Sequence, residues 1–169
     1  MKRPAENEYA PYYQRYISKV PEGDIIEILA RQMEETQKLV KNLPPEKADY
    51  RYAPGKWSIK EVFGHLTDTE RVFAYRALCF SRSDKTALPS FEQDDYVAHG
   101  NFERRTLQDI AEEYRLVRHS NIILFKSFDE EIEGRIGIAS GFEFTVRAIP
   151  YIVAGHELHH RGILREKYL

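Results

Sequence analysis

Apolar residues recur with helical spacing in four segments of the chain, and three of these segments open with recognisable start signals. The first predicted helix runs from about Asp24 to Leu43, and Pro44 stops it. The second runs from about Ser58 to Arg82, and the third from about Thr106 to Phe128. A hydroxyl residue opens each of the latter two, and an acidic residue follows three positions later, which is typical of a capping box.

A fourth predicted helix begins near Thr145 or Ile149 and continues towards the C-terminus. Pro150 leaves its start open, because a proline beyond the first turn removes a backbone hydrogen bond. We interpret the preceding stretch, RIGIASGFEF, as a loop, with a short extended segment as the alternative.

Four long amphipathic helices predict an all-α four-helix bundle with long connecting loops. At 169 residues the chain fits a single domain, residues 1–169, in which residues 1–23 form an N-terminal strap. The second predicted helix spans roughly 37 Å at 1.5 Å per residue. The connection of residues 83–105 is long enough to cover that distance, so the second and third helices can run parallel.

Composition narrows the class of protein. The chain is 42% hydrophobic and carries a net charge of −2, which gives no reason to expect nucleic acid or a membrane surface as a partner. Cys79 is the single cysteine, so no disulfide forms within the chain and a reducing, cytoplasmic setting is expected. No signal peptide and no membrane-spanning stretch is apparent.

Candidate chemistry is concentrated in the segment His156-Glu157-Leu158-His159-His160, which fits the zinc-peptidase pattern H-E-x-x-H. On a helical wheel His156 and His160 fall one turn apart in the middle of the apolar stripe. Two imidazoles on a buried face need partners, and a shared metal ion supplies them. The alternative is a pair of core histidines bonded to neighbouring residues.

The peptidase interpretation requires a further ligand, which normally follows the motif helix. Only nine residues follow His160, and none of them is a histidine, cysteine or aspartate. An upstream ligand is therefore needed, and His65 is the best candidate, because it lies early in one helix as His160 lies late in another. His99 and His119 are expected at the surface, and His159 on the flank of its helix.

Two stretches of the chain resemble the DinB/YfiT-like superfamily, and in particular its DinB_2-type branch. They are PGKWSIKEVFGHLTDTERVFAYRAL and RAIPYIVAGHELHHRGILREKYL. The resemblance implies a four-helix bundle of up-down-down-up topology that is often a homodimer. It implies one divalent metal ion (zinc, nickel, iron or manganese) held by His65, His156 and His160. Characterised members include transferases that use a low-molecular-weight thiol such as bacillithiol or mycothiol, and others are described only as metal-dependent hydrolases.

Further candidates surround this expected site. Glu157 is a catalytic candidate, as general base to a metal-bound water, or else a solvated helix residue. Trp57, Asn101 and Arg104 are candidate substrate-binding residues at the same end of the bundle. The alternative for Trp57 is that it only packs against neighbouring residues, and the alternative for Arg104 is that its side chain is simply solvated.

Two charged residues fall on the apolar stripes of the second and third helices. Glu70 and Arg118 each lie twelve residues after the start of their helix. In parallel helices the two would be level, and a buried charge needs a partner. The sequence therefore predicts a buried Glu70–Arg118 ion pair.

Together these observations predict a divalent-metal-dependent enzyme, a thiol-dependent transferase or a hydrolase, acting on a small molecule. The alternative is a non-catalytic bundle that binds a metal ion or another protein. A zinc peptidase is the third and weakest interpretation.

Overall fold

Four long helices form the frame of the computed structural model, which describes residues 1–169. They are α1 (Ile25–Lys41), α2 (Ile59–Ser81), α3 (Leu107–Lys126) and α4 (Ala148–Ile163). Each begins and ends within a few residues of its predicted boundaries. None of the helices is both long enough and apolar enough to cross a membrane.

Side-chain caps explain why the helix starts were predictable. The Asp24 carboxylate accepts a hydrogen bond of 2.7 Å from the Ile26 backbone N–H at the start of α1. At the start of α2, Ser58 and Glu61 each accept a hydrogen bond from the other's backbone N–H, a complete capping box. The Thr106 hydroxyl caps α3 by accepting a hydrogen bond of 3.1 Å from the Asp109 backbone N–H, without the reciprocal bond of a capping box. Each cap satisfies a backbone donor that has no partner within the helix.

Helix α4 starts differently, without a side-chain cap. Pro150 is its third residue, where the backbone N–H would have no partner within the helix in any case, so the proline is tolerated. The helix continues into a wider, π-helical turn over Leu164–Tyr168. The predicted helix therefore starts between the two positions considered for it.

Helices α2 and α3 run parallel. The Lys60 ammonium group, near the start of α2, donates to the carbonyl of Glu103, just before α3. Further along both helices, Glu70 pairs with Arg118. The connection between the helices therefore travels back along the bundle, and it contains a short helix, Gln93–His99.

Helices α1 and α4 are also parallel. The Gln32 side chain donates to the carbonyl of Ala154 at 3.1 Å, and further along both helices Glu35 lies 2.7 Å from the Arg161 guanidinium. The chain's end meets the start of α2, where the Tyr168 hydroxyl donates to the backbone carbonyl just before that helix. Helix α2 is therefore antiparallel to α4, and the topology is up-down-down-up.

The RIGIASGFEF stretch is a β-hairpin, so its interpretation as a loop was wrong. Strand β1 (Ile136–Ala139) pairs antiparallel with β2 (Phe142–Thr145). Ser140 and Gly141 connect them with φ angles of 54° and 80°, the positive values that tight hairpin turns require. Each strand has only four residues, too few for alternation of polar and apolar positions to stand out in the sequence.

The N-terminal strap crosses the outside of α4 through several short helices. Gly155 allows this contact, because a Cβ atom at that position would lie 2.1 Å from the backbone oxygen of Tyr16. The Tyr16 ring consequently packs edge-on against the imidazole of His156, with ring centroids 5.4 Å apart. The strap thereby forms part of the surroundings of the histidines.

The interior of the bundle has a polar layer between two apolar clusters. On α1 the apolar residues near the start belong to one cluster and those near the end to the other, and α4 follows the same order. The polar residues between them are buried and come from all four helices. They include Gln32, Thr36, His65, Glu70, Arg118, His156, Glu157 and Arg161.

Candidate metal centre

Three imidazole rings converge within the polar layer, at the side of α2 and α4. The Nε2 atom of His156 lies 3.0 Å from Nε2 of His65 and 3.1 Å from Nε2 of His160. All three nitrogen atoms lie within 4.8 Å of one another. The structure therefore brings together the three histidines that the sequence singled out.

The helices explain this convergence. His156 and His160 are one turn apart on α4, so their side chains project from the same face. His65 faces them from α2, which runs antiparallel to α4. Both His65 and His156 are almost fully buried, with exposed fractions of 2% and 7%. Rigid helices thus position all three ligating atoms without help from a loop.

The donor set fits a divalent metal ion better than a hydrogen-bonded cluster. One imidazole nitrogen either donates or accepts, so Nε2 of His156 cannot make two good hydrogen bonds to Nε2 of His65 and of His160. A metal ion about 2.1 Å from each nitrogen places neighbouring nitrogens roughly 3.0 to 3.4 Å apart. The two short separations match that range.

Burial keeps these histidines neutral, the form that ligates metal. It lowers the pKa of His65 to about 4. The pKa of His160 is lowered to about 3, mainly by burial and to a smaller extent by the nearby His65 and His159. Burial also holds the pKa of His156 well below its ordinary value. All three imidazoles are therefore neutral at pH 7, and the tautomer with its proton on Nδ1 leaves Nε2 free to ligate.

A cavity of about 320 Å³, called here the main cavity, opens beside His65 and His156. Its volume suits a small molecule. The strap, one face of α2, the start of the Gln93–His99 helix and the hairpin turn enclose it. Residues that line it include Tyr13, Tyr16, Thr69, Arg76, Asp94 and Ser140.

Trp57 lies directly against the cluster. Its ring centroid is 4.8 Å from that of His65, and the ring stacks over His160 at 6.3 Å. With Tyr52, Trp57 lines a second cavity of about 290 Å³ that reaches His160. The tryptophan therefore shields the histidines from one side, as a pocket residue would.

Asn101 and Arg104, the other expected substrate-binding residues, line neither cavity that adjoins the histidines. The Asn101 amide bonds only to the carbonyl of His99, and the Arg104 side chain is 81% exposed. Phe102 explains this orientation, because its ring is buried beside Gly64 and turns its neighbours outward. The structure does not support a place for either residue in the site.

Glu157 is fully buried, so the interpretation as a solvated residue was wrong. Its carboxylate accepts a hydrogen bond from the Thr36 hydroxyl, and Oε2 lies 2.9 Å from Nη1 of Arg118. Arg161 lies close by at 3.7 Å. Because these partners occupy the carboxylate inside the bundle, the structure does not support its role as a general base either.

The predicted Glu70–Arg118 ion pair is confirmed. Nε of Arg118 donates to the Glu70 carboxylate at 2.7 Å, and the side chains are 0% and 4% exposed. The Asn121 amide donates to the same carboxylate at 2.8 Å. The sequence did not reveal that Glu157 is a second acidic partner of Arg118.

Several residues beside the histidines were not predicted. Thr69 and Arg76 lie on the same face of α2 as His65 and line the main cavity. Their spacing from His65 is visible in the sequence, but polar residues beside an apolar stripe are common and do not by themselves indicate a site. Asp94 lines both cavities, and it belongs to a helix that we expected to be a loop. Tyr16 comes from the strap, whose path over α4 carries no signal in the pattern of apolar residues.

The fold and the site define a four-helix bundle of up-down-down-up topology with three converging histidines beside a cavity. The chain belongs to the DinB superfamily, whose family model matches residues 28–164. A solved structure, YfiT from Bacillus subtilis, is similar over 97% of this chain and 92% of its own, with a TM-score of 0.71 and 13% sequence identity. YfiT is described as a probable metal-dependent hydrolase with an unusual four-helix bundle topology. No curated protein sequence matches the chain.

Proposed function

We propose that this protein is a divalent-metal-dependent enzyme that acts on a small molecule, as a thiol-dependent transferase or as a hydrolase. The observation that carries the proposal is the convergence of three imidazole nitrogens, 3.0 and 3.1 Å apart, beside a cavity. The description of YfiT as a probable metal-dependent hydrolase supports the same class.

His65, His156 and His160 would hold the ion. Three neutral ligands leave positions open on a metal, which is typical of catalytic rather than structural sites. A metal bound there would lower the pKa of a coordinated water or thiol and so supply a nucleophile at neutral pH. Imidazole accepts zinc, nickel, iron and manganese, so the donor set leaves all four as candidates.

The carboxylates near the site favour the transferase over the hydrolase. Glu92 and Asp94 are the only carboxylates among the residues that line the main cavity, and both side chains are exposed. Glu157, the expected base, is paired with arginine in the interior. A water nucleophile benefits from a buried base in contact with it, whereas a thiol ligand loses its proton on coordination. Asp94, which lines both cavities, is the carboxylate best placed to accept a proton.

The aromatic residues around the cluster would exclude water and position the substrate. Trp57 covers the cluster from one side, and Tyr16 covers it from the other. Burial raises the pKa of the Tyr16 hydroxyl to about 12, so it remains protonated and can donate a hydrogen bond within the cavity. The main cavity is then the route to His65 and His156, and the second cavity reaches His160 beside Trp57.

Metal analysis of the purified protein tests the ligand set directly. We expect one divalent ion per chain in the parent, and strong loss in His65→Ala and His160→Ala. His159→Ala is the matched control, because this histidine lies next to His160 but is not part of the converging set. Undiminished metal in His65→Ala and His160→Ala would end the three-histidine proposal.

Thiol binding separates catalysis from the alternative of a non-catalytic bundle. In protein loaded with cobalt, a thiol that enters an open coordination position produces a sulfur-to-metal charge-transfer band. We expect this band with small thiols, followed by conjugation of an electrophilic substrate. A metal that binds no added thiol and exchanges no water would favour a structural role or a protein-interaction function.

We further propose a cytoplasmic homodimer that binds neither nucleic acid nor membranes. The single cysteine, Cys79, is buried and unpaired, as expected for a reducing setting, and the net charge of −2 offers no attraction to polyanions. Dimerisation is implied by the family resemblance. Light scattering at several protein concentrations tests it, and a monomeric mass throughout would contradict it.

A further inference from the structure

Arg76 is a buried cation without a buried anion beside it. Its exposed fraction is 2%, and it forms no ion pair with any carboxylate. Nη2 donates to the carbonyl of Pro89 at 2.9 Å and to the hydroxyl of Ser140 at 3.0 Å. Nη1 is buried and has no hydrogen-bond partner. No carboxylate therefore compensates the charge of the guanidinium, whose Cζ lies 4.9 Å from the centroid of the Phe73 ring, and Nη1 keeps a free donor.

The other buried arginines of the bundle are different. Arg118 pairs with Glu70 and Glu157, and Arg161 lies 2.7 Å from Glu35. A buried charge without a counter-charge is costly, and burial lowers the pKa of Arg76. The position of Arg76 in the wall of the main cavity explains why such a group would be retained.

Arg76 shares one face of α2 with His65 and Thr69. At 3.6 residues per turn these positions fall within about 40° of one another around the helix axis. The Thr69 hydroxyl is also buried without a hydrogen-bond partner. His65 and Arg76 are about 16 Å apart along the helix at Cα, and both side chains line the main cavity, so a molecule that reaches both must be elongated.

We propose that Arg76 binds the carboxylate of the substrate or cosubstrate, while the other end of that molecule lies at the three histidines. This inference rests on the proposed function, because the histidine cluster defines the reacting end of the cavity. Thr69, between the two, donates or accepts a hydrogen bond along the molecule. The site thus selects elongated, apolar-bodied molecules with an anionic end, and Phe73 provides an apolar wall.

The surroundings favour a carboxylate over a phosphate. One guanidinium supplies the only cation among the residues that line the main cavity, apart from the histidines. Glu92 and Asp94 at the exposed side would repel a dianion more strongly than a monoanion. Charge-assisted hydrogen bonds to a carboxylate would satisfy Nη1 without further donors.

The test uses pairs of thiols on zinc-loaded protein. Each pair consists of a mercaptoalkanoate and the neutral mercaptoalcohol of the same length, and the pairs increase in length. Dissociation constants are measured by calorimetry. The dissociation constant of the neutral thiol measures binding at the metal. The ratio of the two dissociation constants within a pair measures what the carboxylate adds. We expect carboxylates long enough to reach Arg76 to bind about tenfold more tightly than their alcohols, with no difference for the shortest pair.

Two variants separate recognition from a structural role of Arg76. Arg76→Met should abolish the carboxylate advantage and leave binding of the neutral thiols unchanged. Ser140→Gly removes a hydrogen bond to the same guanidinium, keeps its charge, and suits the positive φ at this position. The advantage should survive in Ser140→Gly. Arg76→Lys, which keeps a cation, should restore part of it if Arg76→Met does not fold.

The outcomes are distinguishable from failure of the proposed function. Equal binding of carboxylates and alcohols at every length would overturn the role of Arg76 and leave the metal site intact. An advantage that persists in Arg76→Met would also overturn it. If no thiol of either kind binds the zinc-loaded protein, the proposed thiol chemistry fails first. Matched alkyl hydroxamates with and without a terminal carboxylate, which bind many divalent metals, then test Arg76 independently.

Discussion

The Glu157 carboxylate lies 2.9 Å from the Arg118 guanidinium in the interior of the bundle, while the adjacent residue His156 faces the main cavity. A step of one residue rotates the side chain by about 100° around a helix. That rotation separates a candidate metal ligand from a structural ion pair. Because Arg118 and Arg161 pair with Glu157 in the interior, the H-E-x-x-H pattern is present without the free carboxylate that a zinc peptidase needs as its base.

Glu157→Gln should weaken the fold rather than the chemistry. The substitution removes an anion from between Arg118 and Arg161, and breaking a buried ion pair typically costs about 3 kcal/mol or more. We expect a clearly lower urea midpoint with unchanged metal content. Glu166→Gln is the control, because that carboxylate is exposed on the last turn. A stable Glu157→Gln protein that has lost activity would instead restore the peptidase-like role of a base.

Gly155→Ala should dislodge the strap. The added Cβ would lie 2.1 Å from the Tyr16 backbone oxygen, and backbone cannot swing aside as a flexible side chain does. We expect a loss of about 2 kcal/mol, in the usual range for overpacking, and faster proteolysis within residues 1–23. Gly162→Ala on the same helix meets no atom within 4 Å and should stabilise by about 0.5 to 1 kcal/mol. Equal effects of the two substitutions would contradict the contact.

Trp57 should report metal binding by its fluorescence. It is the only tryptophan in the chain, and its ring centroid is 4.8 Å from that of His65. Nickel or cobalt, which quench fluorescence at short range, should reduce the emission up to one equivalent and no further. His65→Ala should remove this saturable response. Quenching that is the same in His65→Ala, or that never saturates, would place the metal elsewhere.

Protonation of the Glu61 carboxylate should make the protein less stable in acid. Burial alone raises the pKa of its carboxyl, but hydrogen bonds from the Arg51 guanidinium and the Ser58 backbone N–H outweigh this, so the pKa is lowered below the ordinary 4.5. As pH falls through 4.5, the unfolded chain takes up a proton at Glu61 before the folded chain does. The free energy of unfolding therefore decreases with falling pH in this range.

Urea unfolding at a series of pH values checks this expectation. Glu61→Gln should make the decrease below about pH 5 shallower, because the contribution of Glu61 is gone while carboxyls such as Glu8 and Glu113, whose pKa values are also lowered, still contribute. Glu34→Gln, at an exposed carboxylate with no ion-pair partner, is the matched control. The assignment to Glu61 fails if the parent and Glu61→Gln lose stability in parallel.

Local signals in the sequence were sufficient for the helices and for much of the cluster. Capping residues such as Ser58 lie within the segment they cap, so the boundaries of α2 follow from the sequence alone. Equal distances from two helix starts placed Glu70 beside Arg118 once the helices were taken as parallel. His65 and His160 came together by the same reasoning for antiparallel helices.

Features that depend on more than two elements were not predictable in this way. The environment of Glu157 combines α1, α3 and α4, and no single helical wheel shows all three. Arg104 points outward because Phe102 fills a space against α2, which is a matter of packing rather than of sequence pattern. The hairpin was missed because its strands are short and expose apolar side chains such as Ile136 and Phe142.

The strap covers the histidines from outside the region that the family model matches, residues 28–164. Tyr12, Tyr13 and Tyr16 line the main cavity, whereas the three histidines lie on α2 and α4. The part of the chain that would hold the metal and the part that shapes its entrance are therefore separate in the sequence. Substitutions in the first twenty or so residues can alter which molecules enter while the ligand geometry stays constant, which offers evolution and protein engineers an independent way to change substrate preference.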